Sequence, residues 1–378
     1  MDFAFTPEQT LLRDSLRTFL NDCYSMEARN AASREGPGWR PDIWRRLGGE
    51  LGILGAAFPE CQGGSDGGAF EHLVIMEELG AALALEPYIE SIVTAGGLLS
   101  RVCGTQPPAL LASLLAGECT VAVGFEEPEG PSGVGTVAVR DSAGWRLDGR
   151  KAVVLGAPWA SHLIVSARAA GDAQGVSLFL VERDRPGVSL RSFHTIDGRR
   201  AADVLLEGVR LPAQSLLGEE GGALGLIEQA SDAAIAAQGA EAVGLMTRML
   251  NDTVAYTQER RQFGQRIASF QALQHRMADM LMQLELARSA VYRATQAVAG
   301  ADPVERALCA SAAKVSVDQA LRFVGQNAVQ LHGGMGMSDE VPVTQCFRRA
   351  TVLIGTRGSH DHHLARFAHL SRLERLAA

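Results

Sequence analysis

The stretch SHLIVSARAAGDAQGVSLFLVER, residues 161–183, has two short apolar runs on either side of a segment that contains Gly and Asp. Runs of this length that end at turn residues are typical of β-strands. Between about residues 119 and 217 further runs of the same kind follow one another, separated by Gly, Pro and Asp. None alternates with a long helical segment, which argues against a doubly wound parallel sheet. The region therefore predicts a small antiparallel barrel or sandwich.

Helical periodicity flanks this region on both sides. From residue 7 to about 118, apolar residues recur at helical spacing, and Thr6 with Pro7 is typical of a helix start. A loop rich in Gly and Asp, PECQGGSDGG at 59–68, separates two of these helices. After Gly221 the helical period returns in four long segments that predict a second bundle, near 223–258, 268–299, 303–332 and 341–373.

This order predicts an α+β fold with three regions. We expect an N-terminal α-helical domain at 1–118, a middle β domain at 119–217 and a C-terminal α-helical bundle at 218–378.

Composition limits the classes of function. The chain has 378 residues, of which 47% are hydrophobic and 21% charged, and a formal net charge of −8. This charge argues against a general binder of nucleic acid or anionic membranes, although a local arginine cluster could still hold a phosphate. The polar start MDFAFTPEQT and the lack of a long apolar run predict a cytoplasmic protein. The six cysteines form no CxxC pair and are expected to be reduced.

A histidine-rich stretch near the C-terminus, GTRGSHDHHLARF at 355–367, raises the question of a metal site. His360 and His363 are three residues apart and would share a helix face. The stretch lacks the pattern of a helical zinc site, and no other dense Cys/His cluster offers a third ligand. A solvated helix start is the favoured interpretation, and no metal is predicted.

Two other stretches carry chemistry. In YTQERRQFGQRIASFQALQHRMADM, residues 256–280, arginines lie beside a Phe-Gly turn and the start of a helix, which suits a phosphate. A solvated loop with Arg260, Arg261 and Arg266 is the alternative. In QNAVQLHGGMGM, residues 326–337, the glycines indicate either a helix C-cap or a backbone close to a ligand. A preceding strand is absent, so a dinucleotide fingerprint is not indicated.

Together the two stretches resemble the acyl-CoA dehydrogenases, which carry Arg-x-x-Phe-Gly, then Phe-Gln-x-x-Gln, then Gln-x-x-Gly-Gly. The N-terminal LGGELGILGAAFPECQGG (47–64) with IMEELG (75–80) is similar to the first domain of that family. The resemblance covers essentially the whole chain. Length and motif style look most like the smaller subunits of two-subunit bacterial enzymes that act on dicarboxylic or steroid side-chain thioesters.

The resemblance implies FAD as the cofactor and an oligomer, because family members complete a flavin site that the neighbouring subunit mainly holds. Arg260 matches the arginine at the flavin pyrophosphate, and Phe263 the aromatic residue packed nearby. The remaining residues that the resemblance assigns to the cofactor site are Gln271, Gln274, Gln330, Gly333, Gly334, Thr356 and, near the substrate, Ser132.

The catalytic base of the family has no match here. Most members place a Glu directly before Gly-Thr, where this chain has Ile354, and a minority place it where this chain has Ala234. Asp232 and Asp361 are the candidates for a displaced base, although an Asp such as Asp232 is more often a helix N-cap. Three further departures touch the expected flavin pocket: Glu126 replaces Thr, and Val153 and Leu155 replace Trp and Thr.

The resemblance therefore implies an FAD-dependent acyl-CoA dehydrogenase subunit that introduces a 2,3 double bond into an acyl-CoA thioester, with the base supplied by a related partner chain. Two alternatives remain open: a non-catalytic subunit that completes a partner's flavin site, and a flavin oxidase or monooxygenase of the same fold. The expected partners are the acyl-CoA substrate, electron-transferring flavoprotein as electron acceptor, and sister chains in a homo- or hetero-oligomer, either dimer or tetramer. Neither nucleic acid nor a membrane is expected.

Overall fold

The computed structural model describes residues 5–102, 108–128, 134–169 and 175–377. Its first part is helical. Thr6 and Gln9 form a capping box in which each side chain binds the other's backbone N–H, so the predicted helix start at Pro7 is confirmed. The helices of this part are α1 (Pro7–Cys23), α2 (Met26–Arg34), α3 (Pro41–Gly49), α4 (Ala69–Ala82), a π-helix (Tyr88–Gly96), α5 (Gly97–Val102) and α6 (Pro108–Leu115).

The middle part is an eight-stranded sheet. Its strands are β1 (Val121–Gly124), β2 (Val137–Asp141), β3 (Gly144–Leu155), β4 (His162–Ala169), β5 (Val176–Glu182), β6 (Val188–His194), β7 (Arg200–Leu211) and β8 (Leu216–Leu217). The spatial order is β6-β7-β3-β2-β4-β5-β8, and β1 also pairs with β4. All pairs are antiparallel except β1–β4 and β2–β4. The sequence runs did not indicate β6, which has no fully buried residue.

The last part is helical again. It contains α7 (Leu224–Glu259), the short strands β9 (Arg261–Gln262) and β10 (Gln265–Arg266), α8 (Gln271–Ala299), α9 (Pro303–His332), α10 (Pro342–Gly355) and α11 (His360–Ala377). The prediction of one continuous helix over 341–373 is wrong. The chain breaks after Gly355 because Arg357 and Gly358 have φ angles of 61° and 95°, which no right-handed helix can include.

The described residues form two compact units. The helical unit comprises Met1–Asn30, Ala69–Ala84 and Ile235–Ala378, and the sheet unit comprises Ala31–Gly68 and Leu85–Ala234. Helices in the first unit and a sheet with short helices in the second confirm the α+β class. Within the described ranges, no helix is both long and apolar enough to span a bilayer.

Candidate active site

A hairpin between α7 and α8 carries the first predicted site residues. Strands β9 and β10 pair so that Gln262 lies opposite Gln265, with Phe263 and Gly264 at the turn. Both turn residues have positive φ, 52° and 78°, as a two-residue type I′ turn requires. The Phe263 side chain is 90% exposed and makes an edge contact with Phe270 at 6.1 Å between ring centroids. The turn predicted at Phe263-Gly264 therefore displays an aromatic ring to solvent.

Arg260 lies between the end of α7 and this hairpin. Its carbonyl accepts a hydrogen bond from Ile267 N–H at 2.9 Å, which closes the hairpin base. The exposed guanidinium has no hydrogen-bonding or ionic partner among the residues that the structure describes. Helix α8 starts a few residues later at the exposed Gln271, and its N-cap residue Phe270 supplies no side-chain hydrogen bond. A free cation beside an uncapped helix N-terminus suits the phosphate groups of a dinucleotide.

Gln274 follows on the first turn of α8. Its side-chain amide donates to the carbonyl of Ala268 at 2.9 Å, while the residue itself is exposed. The second predicted glutamine therefore stabilises the approach to the helix.

The end of α9 carries the predicted glycines. Gly333 is the C-cap of this helix, with its N–H donating to the carbonyl of the exposed Gln330 and its φ at 60°. A Cβ atom added at Gly333 or Gly334 would meet nothing within 4 Å, whereas one at Gly336 would lie 2.5 Å from the carbonyl oxygen of Val329. Gly336 is thus required by packing, while the backbone of the first two glycines is open on its outer side.

A stacked pair of rings joins the two motif regions. The Tyr256 and His332 rings lie 4.5 Å apart at an angle of 22°, and the Tyr256 hydroxyl donates to the carbonyl of His332 at 3.3 Å. His332 is buried, and its Nδ1 lies 2.8 Å from the carbonyl oxygen of Ala328. This contact brings the end of α7, one turn before Arg260, to the end of α9, next to Gly333. No sequence motif indicated a role for Tyr256 or His332, although they lie within the stretches 256–280 and 326–337.

The turn between α10 and α11 holds Thr356. The Thr356 hydroxyl lies 3.2 Å from Gln238 Oε1 and 3.1 Å from the carbonyl oxygen of Leu353, to which Gln238 Nε2 also donates at 2.7 Å. Lys314 Nζ donates to the carbonyls of Leu353 and Ile354 at 3.1 and 3.3 Å. The turn is thus fixed from α7 and α9, by two residues that no sequence motif indicated.

The positions of the missing base are apolar in the structure as in the sequence. Ile354 is half-buried in the last turn of α10, and Ala234 is fully buried in α7. The expectation that Asp232 is a helix N-cap is wrong, because α7 begins at Leu224 and Asp232 lies fully buried inside it. Asp232 and Ala234 are two residues apart and point to different sides of the helix. Asp361 is exposed in the first turn of α11.

The histidine-rich stretch has a structural role. His363 is 2% exposed, with its Nε2 2.7 Å from the carbonyl oxygen of Arg357 and its Nδ1 3.3 Å from Ser311 Oγ. Burial lowers its pKa. The Ser359 hydroxyl accepts from the N–H of His362 and so caps α11. Over the described residues, no group of three or more His, Cys, Asp or Glu side chains is arranged to hold a metal ion.

In the sheet unit, a buried ion pair lies where the resemblance places the flavin pocket. Glu127 accepts hydrogen bonds from Thr136 and from Lys151, whose Nζ also donates to Ser166 Oγ at 3.0 Å. Burial would raise the pKa of Glu127, but these hydrogen bonds outweigh it and hold the pKa below its ordinary value. The neighbouring Glu126 is exposed. Ser132 lies outside the described residues.

Strand β3 bulges at the next predicted position. Its register against β7 shifts between Lys151 and Val154, and Val153 adopts a φ of 50° with 52% of its surface exposed. The Val153 N–H donates to Asp203 Oδ1 at 3.2 Å. The half-buried Leu155 lines a cavity of about 10 Å³, enough for one water molecule.

Comparisons with known proteins agree along the chain. The acyl-CoA dehydrogenase N-terminal domain matches residues 6–105, the middle domain residues 122–209 and the C-terminal domain residues 227–369.

Individual relatives are similar over nearly the full length. The probable acyl-CoA dehydrogenase YngJ of Bacillus subtilis (strain 168) is 30% identical, over 93% of this chain and 95% of that protein. A variant of the Tcur3481-Tcur3483 steroid ACAD has a TM-score of 0.88 at 30% identity, covering 98% of this chain and 99% of that one. The ChsE4-ChsE5 complex from Mycobacterium tuberculosis has a TM-score of 0.89 at 26% identity, covering 98% of each chain.

Proposed function

Because this chain belongs to the acyl-CoA dehydrogenase family of oxidoreductases, we propose that it is an FAD-dependent subunit that introduces a 2,3 double bond into an acyl-CoA thioester with a base from a related partner chain. One observation carries the proposal. The residues suited to the adenosine half of FAD are present, the ends of α7 and α9 that carry Arg260 and Gly333 are joined by the Tyr256–His332 contact, and both base positions are occupied by Ile354 and Ala234.

The helical unit supplies the contacts to the dinucleotide in this proposal. Arg260 and the start of α8 would neutralise the pyrophosphate, because a guanidinium and a helix N-terminus both favour negative charge. The open backbone at Gly333 and Gly334 would let the cofactor approach without meeting a Cβ atom. The exposed Phe263 ring would pack beside it. Since this surface faces away from the core of its own chain, the flavin it contacts would be held mainly by a neighbouring subunit.

The chemistry requires a proton acceptor at the substrate's α-carbon. FAD, when bound, supplies the hydride acceptor for the β-carbon. A carboxylate must come within hydrogen-bonding reach of the α-proton. The side chains of Ile354 and Ala234 cannot take this role, because neither can accept a proton. A partner that carries the missing carboxylate would complete the site. Two of the similar structures bear the names of two-chain assemblies, which supports a heteromer. Electron-transferring flavoprotein is the proposed electron acceptor, and the substrate class is that of fatty acid or steroid side-chain thioesters.

An anaerobic visible spectrum of the purified chain, with and without its co-expressed sister chain, tests the proposal. We expect a yellow complex whose flavin band bleaches on addition of an acyl-CoA, and no bleaching with this chain alone. Bleaching of the isolated chain at ordinary enzyme rates would refute the need for a partner. In that case Asp232→Asn and Asp361→Asn would show which of the two carboxylates serves as the base.

A variant of Arg260 tests the cofactor contact separately. Arg260→Gln should weaken FAD binding by about tenfold or more, because a charge-assisted hydrogen bond to phosphate contributes roughly 1.5–3 kcal/mol. Arg45→Gln, which removes another exposed arginine, from α3, is the matched control and should leave FAD binding unchanged. Equal affinities of the two variants would exclude Arg260 from the cofactor site.

A non-catalytic subunit is the second candidate. It is favoured by the departures at Glu126, Val153 and Leu155, which lie where the family places residues against the flavin. The number of flavins per heterodimer decides between the two functions. A single flavin supports the non-catalytic subunit, and two flavins exclude it.

A further inference from the structure

Lys314 is buried in the middle of α9 and yet has four oxygen acceptors. The residue is 2% exposed, and its Nζ lies 2.7 Å from each carboxylate oxygen of Asp318, one turn further along the helix. The same ammonium donates to the carbonyls of Leu353 and Ile354, the last residues before the Gly355-Thr356 step. Burial lowers the pKa of Lys314, and the carboxylate of Asp318 opposes that shift.

The carbonyls of Leu353 and Ile354 belong to the last turn of α10. Carbonyls in a last helical turn have no partner within the helix, and a cation placed there also interacts favourably with the helix dipole. Helix α10 has no basic residue in its last turn, so the cation comes from α9 instead. Gln238 of α7 adds a second donor to Leu353 and accepts from Thr356. The end of α10 is therefore held from two neighbouring helices.

Stability alone does not explain a buried lysine at this place. A buried ion pair loses the hydration of both charges, and a pair of well-packed apolar residues is often as stable or more so. What an apolar pair cannot do is donate to the two carbonyls. The hydrogen bonds of Lys314 therefore account for the conformation at the end of α10 better than they account for the stability of the fold.

We propose that Lys314, held by Asp318, is a positioning residue that keeps the Leu353–Thr356 turn in one conformation and so presents Thr356 to the flavin. The part of this inference that concerns the flavin rests on the proposed function. The part that concerns the turn stands on the contacts of α9 with α10.

The test uses a double variant, Lys314→Met with Asp318→Leu, which removes both charges together and leaves no buried charge without a partner. Arg293→Gln with Glu305→Gln, which removes the exposed ion pair between α8 and α9, is the matched control. Hydrogen exchange of the backbone amides at 354–358 is measured in the full chain, and FAD affinity is measured by fluorescence titration.

We expect the amides of the turn to exchange about tenfold faster in the Lys314 double variant, as the loss of about one net hydrogen bond predicts. FAD should bind about tenfold more weakly, since a turn that samples several conformations binds in proportion to the competent fraction. The control should match the wild type in both measurements. Unchanged exchange at 354–358 would overturn the proposal.

The experiment tests the conformation of the turn and the effect on the flavin independently. If exchange rises while the wild-type chain binds no FAD with or without a partner, the positioning of the turn stands and the proposed function fails. If exchange rises and FAD affinity stays unchanged, the link from Lys314 to the flavin is overturned. Should the first double variant not fold, Lys314→Gln with Asp318→Asn keeps a polar pair that is too short to reach both carbonyls, and the same outcomes apply.

Discussion

Val153 combines a β-branched side chain with a left-handed backbone conformation. A β-branched residue with φ near +50° is strained, because its Cβ substituents crowd the backbone in the left-handed region. The Asp203 carboxylate holds the bulge by accepting the Val153 N–H. Strain of this kind persists where a fold needs a particular backbone shape. Here that shape lies at a position assigned by resemblance to the flavin pocket.

Replacing this valine with glycine should stabilise the protein. Val153→Gly removes strain of about 1–3 kcal/mol and adds roughly 0.5–1 kcal/mol of chain entropy to the unfolded state, so the free energy of unfolding should rise by about 1 kcal/mol. The side chain is 52% exposed, so little packing is lost. Thermal unfolding followed by calorimetry measures the effect.

Val137→Gly is the control for this change. Val137 lies in the ordinary extended strand β2, where glycine only weakens the strand, so its unfolding temperature should fall. A fall of similar size in both variants would show that the bulge stores no strain at Val153.

Helices α4 and α7 approach each other so closely that their backbones are in contact at two glycines. A Cβ atom at Gly80 would lie 2.2 Å from the carbonyl oxygen of Glu241, and one at Gly244 would lie 1.9 Å from that of Glu77. Each helix thus needs a glycine at the point where a backbone carbonyl of the other helix comes close. Gly80 ends the motif IMEELG, but no helical period shows that Gly80 or Gly244 faces a neighbouring helix.

Gly244→Ala should therefore destabilise the protein although alanine favours helices. The added methyl group meets backbone atoms that cannot rotate away, so the helices must separate at a cost of about 1–3 kcal/mol or more. Gly225→Ala in the same helix is the control, since a Cβ there meets nothing within 4 Å and should be neutral or stabilising. Chemical unfolding measures both variants. A Gly244→Ala chain as stable as the wild type would mean that α4 and α7 do not pack this closely.

In the helical unit, the buried carboxyl group of Glu77 in α4 lies near charged side chains of α1 and α8. Burial raises the pKa of Glu77 in α4 to about 7, against the opposing charges of Arg288 from α8 and of Arg13 and Arg17 from α1, while Glu78 raises it further. The folded chain therefore keeps a proton on Glu77 where the unfolded chain has lost it. Stability from this group is complete below pH 4.5 and is lost as the pH rises toward about 7.

Glu77→Gln should remove this pH dependence, because the amide stands for the protonated carboxyl at every pH. At pH 8 the variant should be more stable than the wild type by up to about 3 kcal/mol, and at pH 4.5 the two should be nearly equal. Urea unfolding across this pH range measures the difference. Glu27→Gln, at an exposed site in α2, should change stability little at any pH. A constant difference between Glu77→Gln and the wild type across the range would contradict the raised pKa.

How far the sequence predicts the candidate site depends on whether the signal is local. Arg260, Phe263 and the Gly333-Gly334 step could be proposed from the sequence because a turn and a helix end are set by neighbouring residues, and the structure has a turn at Phe263-Gly264 and a C-cap at Gly333. Lys314 and Gln238 were not identified. Both lie in the middle of long helices, and their partners are 39 and 115 residues away in the chain.

The order of helices, strands and helices, the start of α1 and the turn at Phe263-Gly264 follow from the amino-acid sequence, because periodicity, capping and turn preferences act over a few residues. The separation of α10 from α11, the burial of Asp232 inside α7 and the stacking of Tyr256 on His332 follow from tertiary contacts. The same is true of the hydrogen bonds from the buried Lys314 to the carbonyls of Leu353 and Ile354. Each of these features depends on contacts between residues that are far apart in the sequence. Such contacts do not change the local pattern of apolar residues, so periodicity cannot predict them.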